Sequence, residues 1–248
     1  MNNLILTSEN QGVFTITLNR LDKKNALNSY MYQQLFQLFI YAQENDSIHC
    51  LLLRGDESCF CAGNDLQDFM QCSQNEDEDL AALEFVNVLS HFTKPLVAAV
   101  AGAAVGIGTT LLLHCDMVIA ANNSKFKLPF TQLGLCPEAG SSLLLPLRIG
   151  QNRAFELLVL GESFDAEQAY TYGLANQVCQ PSELLAIANK VALKIAQLPV
   201  DAVMTSRRLI RQANQTLLTQ VINNEGQEFS RLVNTSDCKN ILSSLLAK

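Results

Sequence analysis

Two short loops of small residues are the first places in this sequence where chemistry could sit. They are Cys59-Phe60-Cys61-Ala62-Gly63-Asn64-Asp65-Leu66 and Gly102-Ala103-Ala104-Val105-Gly106-Ile107-Gly108-Thr109-Thr110. Each follows an apolar run that reads as a buried strand, and each lacks bulk where a backbone would have to approach a ligand closely. Plain packing explains either segment equally well when it is taken alone. The second loop lacks the G-x-G-x-x-G order of a dinucleotide site. Glu138, within Leu133-Gly134-Leu135-Cys136-Pro137-Glu138-Ala139-Gly140-Ser141-Ser142, is a carboxyl in apolar company. Its ordinary alternative is helix-start chemistry, because Pro137 and Glu138 just inside a helix would favour the macrodipole. Ser141 and Ser142 have no G-x-S-x-G context, which disfavours serine hydrolysis.

Other reactive residues carry less. The eight cysteines include one C-x-C and no C-x-x-C pair, and there are three histidines, His49, His91 and His114. Zinc and redox chemistry are therefore disfavoured, and free, mostly buried thiols are expected. Arg20, Lys23 and Lys24 form a cationic cluster that could meet phosphates or be a solvated turn. Asp65 is expected to organise its loop, Asp116 to fix a helix-to-strand turn, and His114 to be a core residue.

The elements that must position these groups follow from periodicity. Leu4–Glu9 and Val13–Asn19 read as strands around a Gln11-Gly12 turn. Asn28 or Ser29 can cap a helix running to about Glu44, with Leu35, Phe36, Leu38 and Phe39 on its apolar side. Cys50–Leu53, Leu96–Val100 and Met117–Ala121 are apolar runs of strand length. A loop is expected from Gly55 to Asp68, an exposed mobile segment over Gln71–Asp79, and a helix over Leu80–His91. The order strand, loop, helix indicates an α/β core whose strand-end loops build the site. From Pro181 onward the pattern is helical, with stripes Leu184, Ile187, Val191, Ile195 and Leu217, Val221, Phe229, Leu232.

Bulk properties bound the partners. The 248 residues are 48% hydrophobic and 17% charged, enough for a substantial core without long disordered stretches. The formal net charge of −7 argues against nucleic acid as the main partner. Val97–Leu113 carries no charge, yet Gly102, Gly106 and Gly108 interrupt it, so no membrane span is expected. Met1–Asn10 has no basic start and continuous apolar run, and the chain ends Leu245-Leu246-Ala247-Lys248, so a cytoplasmic protein is expected.

Taken together, four segments resemble the crotonase (enoyl-CoA hydratase/isomerase) superfamily over nearly the whole chain. They are Leu18–Asn28, Phe60–Leu66, Lys94–Gly102 with Gly106-Ile107-Gly108, and Phe130–Ser142. The resemblance implies a spiral of β-β-α turns as residues 1–195, carrying the acyl-CoA site. Residues 196–248 would be a C-terminal helical region that assembles trimers or dimers of trimers. It also implies that the backbone N–H groups of Ala62 and Ile107 point at a thioester oxygen. Lys24, Ala26, Gly63, Asn64, Asp65, Leu66, Gly106, Phe130 and Leu133 would border the substrate. Two fixed donors of this kind stabilise an enolate without reorganising, each typically worth about 2.7–4 kcal/mol of barrier. No metal or cofactor is implied, because CoA is part of the substrate.

Hydratases of the superfamily place two glutamates near the reacting carbons. Matching residue by residue puts those positions at Thr110 and Phe130, neither of which is a carboxylate. The Phe130–Ser142 stretch is instead similar to peroxisomal-type 3,2-enoyl-CoA isomerases, in which the residue matching Glu138 is the base. Phe130, Leu133 and Leu135 would form an apolar wall that raises its pKa. The alternatives are a hydratase or other enolate-forming enzyme using a residue outside the usual pair, and a non-catalytic acyl-CoA-binding protein.

Overall fold

The protein is described by a computed structural model covering residues 3–72 and 80–246. The chain opens with a hairpin of β1 (Ile5–Asn10) and β2 (Val13–Leu18). Gln11 and Gly12 both take positive φ (49° and 81°), the twist that a two-residue hairpin turn requires. Helix α1 (Ser29–Glu44) starts where Asn28 accepts a 3.0 Å bond from Met31 N–H, and it buries Met31, Tyr32, Leu35, Phe39 and Ala42. There follow β3 (Cys50–Arg54), β4 (Cys59–Cys61), α2 (Leu66–Cys72), α3 (Leu80–His91), β5 (Leu96–Val100), β6 (Ala103–Val105) and α4 (Ile107–Thr110). Residues 73–79 of the expected mobile segment lie outside the described residues. Its first two residues belong to α2, which begins inside the expected Gly55–Asp68 loop.

Next come β7 (Met117–Ala121), β8 (Lys125–Lys127), α5 (Ser141–Ile149), α6 (Gln151–Phe155), β9 (Phe164–Asp165), α7 (Ala166–Thr171) and β10 (Gln177–Cys179). The chain closes with α8 (Pro181–Ala196), α9 (Val200–Val233) and α10 (Ser236–Leu246). The strands form two sheets. One has six strands in the order β1-β2-β3-β5-β7-β10, parallel except for the β1–β2 hairpin. Strands β5 and β7 are apolar throughout because both faces are covered. One face meets the main core, and the other meets α8 through Leu184, Ala188, Ala192 and Ala196.

The second sheet, β4-β6-β8-β9, is made of strands of two or three residues. It positions the site. The two small-residue loops leave the ends of β4 and β6, which are parallel neighbours. The long helix α9 then packs back over this end through Leu218, Ile222 and Val233, joined by Cys238 and Leu242 of α10. Of the expected stripe, Phe229 and Leu232 pack against the core, whereas Leu217 is 47% exposed and Leu218 and Ile222 are buried instead. Among the described residues no helix is long and apolar enough to cross a membrane. The uncharged run Val97–Leu113 is β5, β6, α4 and the start of a 3-10 turn.

Candidate active site

The two loops are pressed together, and glycine is what lets them meet. Gly63 has φ +99°, and a Cβ there would lie 2.9 Å from the carbonyl oxygen of Val105. A Cβ on Gly108 would lie 2.4 Å from the carbonyl oxygen of Cys61. The backbone of residues 61–63 therefore lies against residues 105–108, at the start of α4.

Which amides are left over follows from the hydrogen bonds. Leu27 N–H donates to Gly63 (2.8 Å) and Asp65 N–H donates to Leu27 (2.8 Å), a parallel bridge that turns the N–H of Asn64 away from pairing. Ile107 opens α4, and its N–H is one of the first-turn donors that a helix cannot satisfy. Among the described residues neither the Asn64 nor the Ile107 N–H has an acceptor. Ala62 is different. Its N–H donates to the carbonyl of Lys24 at 3.0 Å, so the expectation that Ala62 supplies a donor is corrected: that amide is committed, and Asn64 carries the open one.

Glu138 lies in the stretch between the 3-10 turn Thr131–Leu133 and α5, before the helix and not inside it, which removes the helix-start explanation. It accepts a hydrogen bond from Thr110 Oγ1. The residue keeps a little surface toward a cavity of about 110 Å³ while its carboxyl is enclosed by protein. Desolvation raises its pKa to about 8; the Thr110 bond opposes that rise and the charge of Glu225 adds to it. The apolar cover differs from the expected one. Leu83 and Val86 of α3, Ile222 and Phe229 of α9, and Leu27 line the cavity. Phe130, Leu133 and Leu135 do not; they pack into the core.

Of the residues expected at the site, Asn64, Asp65 and Glu138 border this cavity, and the others named do not. Lys24 and Ala26 contribute carbonyls, to Ala62 N–H and to the Arg20 guanidinium (2.9 Å). Arg20 also pairs with Asp65 at 2.7 Å, so it braces the loop and is not a free phosphate ligand. Burial alone would raise the Asp65 pKa, but Arg20 and the N–H groups of Gln67 and Asp68 outweigh it and hold it low. Leu66 begins α2, and Gly106 turns the chain into α4 with φ +53°. Asp116 fixes its turn as expected, accepting from Leu96 N–H at 2.8 Å, and it also binds Arg207 and Arg211 of α9 at 2.7 and 2.9 Å. The seven described cysteines are free thiols, five of them buried.

Several residues of the site were not singled out by sequence. Tyr32 is buried against the cavity and donates its hydroxyl to Asn64 Oδ1. Asn25, fully buried, donates to the carbonyls of Cys59 and Phe60 (3.2 and 3.1 Å) and ties the N-terminal loop to β4. His114 is the expected core residue, but its place matters. Its Nε2 lies 2.7 Å from the carbonyl oxygen of Ala139, next to Glu138, and burial lowers its pKa to about 4. It is a neutral donor behind the loop, not a base.

Comparison with known proteins bears on this geometry. The family model described as enoyl-CoA hydratase/isomerase matches residues 8–247. The chain belongs to that family. It is 36% identical to the 1,2-epoxyphenylacetyl-CoA isomerase of Escherichia coli K12, covering 100% of this chain and 97% of that one. It is 33% identical to enoyl-CoA delta isomerase 2 of Rattus norvegicus over 99% of this chain and 63% of the longer relative. Among solved structures, an enoyl-CoA hydratase/isomerase from Pseudoalteromonas atlantica superposes with a TM-score of 0.94 at 37% identity, covering 99% and 97% of the two chains. The fold is thus the crotonase-type α/β fold of this hydratase/isomerase family, with its helical C-terminus.

Proposed function

We propose that this enzyme moves the double bond of a 3-enoyl-CoA to the 2-trans position, as in the degradation of unsaturated fatty acyl groups. The observation that carries the reading is a single proton-transfer carboxyl, Glu138, with its pKa raised to about 8 beside the cavity. Thr110 and Phe130 stand where a hydratase pair would need carboxylates; the first donates to Glu138 and the second is buried in the core. Asp65 and Asp68 also border the cavity, but Asp65 is held by Arg20, and Asp68 accepts from the N–H and Oγ of Ser29, both at 2.7 Å.

Glu138 takes a proton from the α carbon, and the charge spreads into a dienolate whose oxygen faces the N–H groups of Asn64 and Ile107. The protonated Glu138 then returns the proton to the γ carbon. One group serves as base and then acid, a role that typically contributes about 10²–10⁴-fold. The reaction is neutral in electrons and in water, so CoA enters as part of the substrate and no separate cofactor is needed. Exposed Leu209, Ile210 and Leu217 on α9 offer apolar surface for a trimer or a dimer of trimers. A cytoplasmic setting goes with this reading.

The test is to incubate the purified enzyme with a 3-enoyl-CoA and, separately, with a 2-enoyl-CoA in water. Isomerisation that Glu138→Gln abolishes while acyl-CoA binding persists supports the reading. Hydration without isomerisation, or full isomerisation by the variant, refutes it.

A further inference from the structure

The turn that follows Glu138 is held from helix α9. Ala139 takes φ +57°, a conformation that a residue with a side chain adopts only when its surroundings impose it. Gly140 follows at φ +73° and stands at the N-cap of α5, yet its own residue offers no side chain to accept the open N–H groups of that helix. Glu225 supplies the acceptor from 85 residues away. Its two carboxylate oxygens take the N–H of Gly140 at 2.6 Å and the N–H of Ser142 at 2.9 Å. The carboxylate is buried, with the residue 8% exposed, and it makes no ion pair with any described residue. On the other side of the same turn, His114 binds the Ala139 carbonyl.

We propose that Glu225 is a positioning residue for Glu138, fixing the Ala139–Gly140 turn from α9 so that the Glu138 carboxyl faces the cavity. A buried carboxylate without a cation is costly and is retained only where its hydrogen bonds compensate for the lost water. No side chain at residue 140 can cap α5 locally, because φ there is +73° and a Cβ would lie 2.4 Å from Leu218 Cδ1, so the acceptor has to come from another element. Placing the acceptor on α9 couples the base to the helix whose next residue, Gly226, lines the cavity together with Ile222 and Phe229.

The arrangement also sets a charge near Glu138. The groups around that carboxyl are Thr110 from α4, Tyr32 from α1, Cys61 from β4, and Asp65 and Asp68 at the start of α2. Behind the turn stand neutral His114 and Glu225, whose pKa burial raises while the hydrogen bonds from Ser142 and Gly140 favour its charged form. Tyr32 and Cys61 are un-ionised because burial pushes both pKa values up, Cys61 to about 12. Asp65 is neutralised by Arg20. Removing the charge of Glu225 therefore eases ionisation of Glu138.

This inference rests on Glu138 being the base, so the experiment needs a readout that does not depend on turnover. The midpoint of Glu138 is measured by carboxyl ¹³C NMR of glutamate-labelled protein, with Glu138→Gln identifying the resonance. The Michaelis constants for 3-enoyl-CoA are measured alongside. In Glu225→Gln we expect the Glu138 midpoint to fall and kcat to drop about tenfold to a hundredfold, as a displaced catalytic group typically gives. KM should change little, since the apolar lining is untouched. Glu225→Asp keeps the charge and both oxygens but is one methylene shorter, so its carboxylate no longer reaches the two N–H groups. It should lower kcat while leaving the midpoint near its wild-type place, and it serves if the glutamine variant does not fold. An unchanged midpoint together with unchanged kcat in Glu225→Gln, or wild-type kcat in Glu225→Asp, overturns the inference. A shifted midpoint in a protein without isomerase activity supports the positioning role and refutes the proposed function instead.

Discussion

The hydroxyl of Thr110 donates to Oε1 of Glu138, and among the described residues it is the only side chain that does so. That bond favours the charged carboxylate and opposes the desolvation that raises its pKa. Thr110→Val keeps the shape and removes the donor. Ionising Glu138 then becomes harder, so kcat/KM at pH 7 should fall roughly tenfold, the worth of one hydrogen bond to a charged group. The loss should shrink at pH 9, where more of the base is restored. Parallel pH profiles of the two proteins check this, and a loss that is uniform with pH would contradict it.

The wild-type profile follows from the same carboxyl. With a pKa of about 8, Glu138 is mostly protonated at neutral pH in the free protein. The kcat/KM for a 3-enoyl-CoA should therefore rise with pH through a single ionisation centred near 8 and then level off. A profile flat from pH 6 to 9 would place the base elsewhere.

Stability should run opposite to activity. Between the ordinary carboxyl pKa of 4.5 and the folded value of about 8, the folded protein keeps a proton that the unfolded chain has released. Stability attributable to Glu138 is thus lost as pH rises through this window, because the native state binds more protons. Glu138→Gln removes the penalty. Its melting temperature should match the wild type near pH 4 and exceed it above pH 8, at about 2–4 °C per kcal/mol for a chain of this size. Thermal denaturation across pH measures the difference, and a variant less stable at pH 9 would count against a desolvated carboxylate.

The long elements were legible in the sequence because their signals are local. Asn28 before an amphipathic run marks the start of α1, and β5 and β7 fall at their expected residues because strands covered on both faces are apolar throughout. The second sheet was not legible, since β4, β6 and β8 have three residues each and merge with the loops they feed. The same limit explains Ala62. Residues 62 to 64 are all small or turn-forming, and only the pairing with Lys24 and Leu27, some 37 positions away, decides which amide is spent and which stays open. Glu225 gave no signal either, because a glutamate in a long helix ordinarily faces water. Glu138 was legible through resemblance, but its apolar cover from α3 and α9 is a product of tertiary packing.

The contact between the two loops can be tested separately from the carboxyl. Gly63 has φ +99°, and a methyl group there would meet the Val105 carbonyl at 2.9 Å, so Gly63→Ala must part the loops. The amides of Asn64 and Ile107, which the proposed function assigns to one oxygen, would then be moved apart. Loss of one such donor typically costs about 10²–10³ in kcat, and that is the drop expected here, with the pH midpoint left near 8 because Glu138 is not touched. Gly173→Ala is the matched control. Gly173 also has positive φ (+75°), but an added methyl meets nothing within 4 Å and lies outside the cavity. It should lose some melting temperature through backbone strain and keep its turnover. Equal losses of kcat in the two variants would mean that Gly63 acts through stability alone; a loss confined to Gly63→Ala would locate the effect in the paired amides.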